Sequence, residues 1–320
     1  MRNIDIIKRS NRDYWMGWAM IMIILCHIQY TCYDDGYIMR CLRVLFKKGE
    51  FGVDIFLFLS SVGLSYSIIS NNIRTFYKHR ITRLFPMYFL FLFLSYCFFK
   101  SNELSWNVVF FQIVGISNFV GNPFNEWYVP AIILIYTSFP ILFFGIKGLC
   151  AKSILWGIAL ILLAIYSYTI TINYMTLYFA RRLYVIILGI VTFFVHHEKQ
   201  NPKGVIYVLL FVALMQLFVP SDYNMFLFVP LLLVLFDVLF PKLPMHRIVG
   251  FIGKHSLELY LGQTMGIIYY CNQSSIRILY KLPVGLIITI VSAILLYWGH
   301  RAFYICMEKM ITYVSHLNNK

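Results

Sequence analysis

Charge is what this sequence has least of. Only 12% of its 320 residues are Asp, Glu, Lys or Arg, against about 25% in soluble domains. Apolar residues make up 60%, an excess too large for one water-soluble core and spread along the whole length. Acidic residues are the scarcer sign, 13 against 27 Lys and Arg. The basic residues lie between apolar runs rather than clustered on a polar face, which argues against nucleic-acid binding. The seven cysteines form no C-x-x-C or C-x-x-C-H, so no metal or haem site is expected from their spacing. No Pro/Gly/Ser linker, low-complexity tract or internal repeat divides the chain, and no loop is long enough for a soluble domain. The basic N-terminal stretch and the apolar run after it resemble a signal peptide, but no small-residue cleavage site follows. An uncleaved first helix is expected.

What is there is a succession of apolar segments. A span needs about 20 mostly apolar residues. Candidates lie at 14–31, 51–70, 84–100, 127–146, 153–173, 183–196, 204–220, 223–240, 252–271 and 283–306. The expectation is an all-α polytopic membrane protein of about ten transmembrane helices, with residues 1–320 forming a single membrane domain in the lipid bilayer. The apolar stretch Trp106 to Ile116 is too short to cross and reads as re-entrant or interfacial. With the N-terminus inside, Lys and Arg favour the inner loops by about two to one, so both termini are expected in the cytoplasm. Arg40, Arg43, Lys47, Lys48 and the Arg181–Arg182 pair run against that rule, either kept for anionic ligands or tolerated in a loop. Cys32 and Cys41 share an outer loop, where they could pair.

Ionisable groups inside spans are costly, so they are candidates for function. His27 lies near the outer end of the first span, and an imidazole suits removal of a hydroxyl proton. A His simply bonded to a neighbouring helix is the plainer reading. Asp54, in Gly52-Val53-Asp54, enters the second span from outside at a similar depth. It can orient an imidazole, clamp two helices, or answer a helix dipole. Lys78, Arg80 and Arg83 precede Leu84-Phe85-Pro86. A helix puts Arg80 and Arg83 on one face, able to grip phosphates or merely to anchor the inner end. Glu126 and Trp127 stand at the outer mouth of the fourth span, where the acid can bind a polar acceptor and the indole can stack on a sugar. A solvated acid and an interfacial aromatic are the alternative.

These groups occur in an order that resembles the acyltransferase 3 family of membrane O-acyltransferases. The family shows a first helix ending in His, then G-V-D-x-F-F-x-x-S-G, then R-x-x-R before a hydrophobic–Pro pair. Here these are His27, Gly52-Val53-Asp54-Ile55-Phe56-Leu57-Phe58-Leu59-Ser60, and Arg80-Ile81-Thr82-Arg83-Leu84-Phe85-Pro86. Trp127, Tyr136 and Pro140 are similar to its W-x-L…Y…P helix. Arg182-Leu183-Tyr184 to Gly189 resembles its middle helix, and Gly253-Lys254-His255-Ser256 to Tyr260-Leu261 its late G-K-x-S-x-x-x-Y-L segment. Two positions depart from it. Met16 stands where the family carries a basic residue, with Arg12 one turn earlier on the same face. Gln263 stands where the closing Y-L-x-H has its His.

The resemblance implies an O-acetyltransferase with no permanently bound cofactor. Its donor would be cytoplasmic acetyl-CoA or another acyl-CoA, held by Arg80, Arg83 and Lys78. His27, oriented by Asp54, would be the base, and Glu126 and Trp127 would meet a carbohydrate acceptor, lipid-linked or exported, of the cell envelope. The implied location is the cell membrane. No G-x-S-x-G nucleophile is evident, which favours direct transfer. A transporter or flippase of lipid-linked sugars is the rival class, but the paired interrupted helices of two related halves are not seen.

Overall fold

The structure is a computed structural model that describes residues 9–31, 43, 46–99, 105–114, 116, 127–149, 182–197, 246–274 and 278–318. Nearly all the described residues are helical, with no strand among them. The main elements are α1 (Arg9–Thr31), α2 (Phe51–Ser70), α3 (Ile73–Phe98), α4 (Trp106–Val114), α5 (Tyr128–Leu149), α6 (Leu183–His197), α7 (His246–Lys254) and α8 (Ser256–Gln263). A π-helical stretch, Thr264–Tyr270, leads into the single turn α9 (Cys271–Gln273) and then the long α10 (Ile278–Asn318).

Four segments of described helix are long and apolar enough to cross a membrane: Lys48–Ser70, Ile73–Phe98, Tyr128–Lys147 and Tyr280–Met310. They overlap four of the expected spans, though the first and fourth begin three residues earlier than hydropathy suggests and the second eleven. α3 starts at Ile73 because its basic first half continues the same helix as its apolar second half. The spans expected at 153–173, 204–220 and 223–240, together with Cys32, Cys41 and Glu126, lie outside the described residues. α6 is apolar but only 15 residues long, and α4 has nine. The segment expected as one span at 252–271 is interrupted. His255 leaves the helical region at φ −106° and ψ 25°, in the polar run Lys254-His255-Ser256, and the π-helical stretch follows Gln263 directly.

The chain forms two compact units, one of Met1–Ile23, Lys48–Asn72 and Phe110–Lys254, the other of Ile24–Lys47, Ile73–Val109 and His255–Lys320. In the first, α2 packs on α5 and α6. α2 is apolar nearly all round, as a helix enclosed by others must be. A Cβ on Gly189 of α6 would overlap Ser61 of α2, so the missing side chain lets the two backbones approach. Aromatic rings fill the space beside this contact. Phe143 stacks on Phe194 with centroids 5.0 Å apart, and Tyr66 meets Phe193 edge-on at 4.6 Å.

In the second unit, α10 packs on α3, α8 and the π-helical stretch, and α3 also touches α8. Gly266 of the π-helical stretch lies against the backbone of Gly285 in α10, leaving no room for a Cβ. Lys281 is almost wholly buried here, and its ammonium donates to the Cys271 carbonyl at 3.1 Å. It therefore serves as a cation on the end of a helical segment, an interaction favoured by the dipole.

Candidate active site

His27 belongs to the end of α1 that lies in the second unit. Its Nδ1 is 2.7 Å from Oε1 of Gln263, the last residue of α8. An amide oxygen can only accept, so the ring donates through Nδ1–H. The neutral imidazole then keeps its lone pair on Nε2, the form required of a base. Gln263 is fully buried, and its amide nitrogen has no partner among the described residues. The same side chain therefore holds the imidazole by its oxygen and leaves N–H donors beside it. Around them Ile24 and Ile28 of α1 pack with Ile267 of the π-helical stretch and with Leu282 and Leu286 of α10. This apolar wall lowers the local dielectric and strengthens polar contacts made there. π-helical turns are rare and often accompany functional sites, and this one begins immediately after the residue that holds His27.

The basic residues of α3 lie in the same unit. Arg80 is half-buried, with its guanidinium 5.3 Å from the centroid of the Phe76 ring. Arg83 and Lys78 are exposed. The spacing places Arg80 and Arg83 on one face of the helix, as the sequence implies.

Asp54 lies in the first turn of α2, in the first unit, and is only 3% exposed. Its Oδ1 is 3.1 Å from Nε of Arg182, itself 7% exposed. A second guanidinium nitrogen is 4.0 Å from Glu50. The guanidinium also lies over the Trp127 ring, 5.1 Å from its centroid. Glu50, Asp54, Trp127 and Arg182 thus gather where α2, α5 and α6 begin. Arg182, anomalous by loop charge alone, stands there because a buried carboxylate needs a cation. One face of Trp127 is taken by that cation. The orienting group seen on the imidazole is Gln263, and the cation seen on Asp54 is Arg182. In the sequence Gln263 stands out as a departure from a pattern, and Arg182 as a charge on the wrong side that opens a middle-helix motif.

Met16, where a basic residue was expected, is buried. The Arg12 guanidinium lies against Gly63 of α2, its Nη1 3.3 Å from where a Cβ would stand. Cys26, Cys97, Cys271 and Cys306 are thiols rather than disulfides. Among the described residues, no group of three or more His, Cys, Asp or Glu is placed to hold a metal ion.

A family model described as an acyltransferase domain matches residues 12–298. No curated protein and no solved structure matches the chain.

Proposed function

The chain belongs to the acyltransferase 3 family, and on that premise we propose that it moves an acetyl group from cytoplasmic acetyl-CoA to a hydroxyl of a cell-envelope or exported glycan. Membership makes it a membrane acyltransferase in general terms. The observation that carries the finer reading is the His27–Gln263 bond in the unit that also holds Arg80 and Arg83. In this reading the chain crosses the cell membrane about ten times, with both termini in the cytoplasm.

Arg80 and Arg83, assisted by Lys78, bind the phosphates of the donor, since guanidinium forks match phosphate oxygens two at a time. Nε2 of His27 takes the proton of the acceptor hydroxyl as its oxygen bonds to the thioester carbonyl carbon. The Gln263 amide steadies the imidazolium through Oε1 and offers N–H to the developing oxyanion. The carbon–sulfur bond then breaks, and the imidazolium returns its proton to the CoA thiolate. Direct transfer of this kind needs no acyl-enzyme. Glu126 and Trp127 are the proposed acceptor contacts. Asp54 supports the reaction by keeping Arg182, and with it Trp127, in place.

Two tests follow from these roles. Arg80→Ala combined with Arg83→Ala should raise the KM for acetyl-CoA by about 10- to 100-fold, with a smaller change in kcat, because ground-state phosphate contacts are lost. Steady-state kinetics with varied donor reads this directly, and an unchanged KM would return both arginines to membrane anchoring. Gln263→Leu should lower kcat by about 10- to 100-fold at unchanged donor KM, because the imidazole is no longer held in one tautomer. A Gln263→Leu enzyme with full kcat would mean that this bond has no part in the reaction.

A further inference from the structure

Pro86 lies inside α3. A proline has no N–H to give the carbonyl four residues before it. That carbonyl belongs to Thr82, between Arg80 and Arg83. In a membrane protein a freed backbone acceptor is satisfied by a neighbouring helix, a polar side chain, water or a local adjustment of the helix. His300 of α10 supplies the donor, with Nε2 3.2 Å from the Thr82 oxygen. A carbonyl oxygen only accepts, so the ring donates there through Nε2–H. The preceding residue is Gly299, and a Cβ there would overlap the Leu90 side chain of α3. His300 lies beyond the residues that the family model matches, 12–298.

We infer that His300 is a positioning residue for the donor arginines: its bond to the Thr82 carbonyl, left open by Pro86, fixes the turn of α3 that bears Arg80 and Arg83. The inference rests on the reading of those arginines as the donor site. It explains why a half-buried histidine on a mostly apolar span is aimed at backbone rather than at a side chain. It also gives Pro86 a role. The missing N–H opens a carbonyl that a second helix can hold, so the register of α3 on α10 is set by a directed bond as well as by apolar packing, which has no direction. Whatever shifts α10 relative to α3 then shifts the arginines.

The experiment uses the full-length protein purified in detergent and measures the dissociation constant for coenzyme A, together with the thermal midpoint. His300→Leu should weaken binding about tenfold, because the Thr82 carbonyl loses its donor and the turn relaxes. His300→Gln should stay within about threefold of the native protein, since an amide N–H can reach the same oxygen. Pro86→Ala restores a backbone N–H to Thr82. In that background His300→Leu should cost less than about twofold in affinity, because the carbonyl no longer depends on α10. The inference is overturned if His300→Leu binds coenzyme A as the native protein does, or if its cost is the same with and without the Pro86→Ala substitution. Should His300→Leu fail to fold, the doubly substituted protein decides the matter. It must fold and bind like Pro86→Ala alone, and its failure to do so overturns the inference as well. The Arg80→Ala/Arg83→Ala variant separates this idea from the reading beneath it. Normal binding of coenzyme A by that variant removes the donor site and this inference together. Lost binding there, with no coupling between positions 86 and 300, removes this inference alone.

Discussion

Replacing His27 with alanine is expected to abolish acetyl transfer while leaving the protein inserted in the membrane at its normal level. A positioned general base contributes about 10²- to 10⁴-fold to a rate, and the group that touches the imidazole cannot replace it. That group is an amide, Gln263, which cannot take a proton at neutral pH. The environment is apolar, formed by Ile24, Ile28, Ile267, Leu282 and Leu286. Loss of the ring leaves a small cavity and an unbonded Gln263 amide there, a cost of about 1–3 kcal/mol, rather than an unpaired charge, so the protein should still fold. The check is acetylation of the cell's glycan in a strain whose only copy carries His27→Ala, with protein abundance measured in the same membranes. Full acetylation would remove His27 as the base.

The second large effect is on stability. Asp54 and Arg182 are both almost fully buried and lie 3.1 Å apart. Removing one partner of such a pair leaves the other as an uncompensated buried charge, a loss of about 3–5 kcal/mol. Asp54→Ala should therefore lower the thermal midpoint of the detergent-solubilised protein sharply, or prevent its accumulation. Arg182→Ala should do the same, since it leaves both Asp54 and Glu50 without the cation. Replacing both residues with leucine should be less harmful than the two single losses taken together, because the desolvation of the pair disappears with it. Size-exclusion profiles after heating provide the comparison. An Asp54→Ala protein with the native midpoint would show that the pair carries no stability, and would leave Asp54 with a chemical role only.

The helical architecture and the order of the site residues were legible because each depends on local pattern. Apolar length marks a span, and a helical repeat puts Arg80 and Arg83 on one face. The family model over residues 12–298 bears out the family that the motifs suggested. Helix interruptions were harder to read. Nothing in the hydropathy of 252–271 announces the turn at His255 or the π-helical stretch after Gln263, within which Gly266 seats on Gly285. The early start of α3 was hidden for the opposite reason: its first half is polar, although it is continuous with the span.

Partners across the fold were the least visible. The sequence offered Asp54 as the companion of His27 because both sit at similar depth. Depth alone does not identify hydrogen-bond partners, and it gave no reason to single out Gln263 or Arg182. One signal was present in each case. Gln263 occupies the position of a family histidine, and Arg182 defies the charge rule for its loop. Both are departures from a pattern, and both turn out to be contacts of the expected site residues. Pro86 gave a third signal. It announces an open carbonyl at Thr82 from chemistry alone, yet only the packing of α10 on α3 identifies His300 as the group that fills it.

The account depends most on acyl transfer from a CoA thioester with His27 as the base. Purified protein in lipid vesicles, given acetyl-CoA labelled in the acetyl group and a glycan extract of its own cell envelope, tests this directly. The expected result is label covalently attached to the glycan, with one free CoA thiol released for each acetyl transferred, and neither product with the His27→Ala protein. Native protein that leaves acetyl-CoA intact, or label transferred equally well without His27, would contradict it.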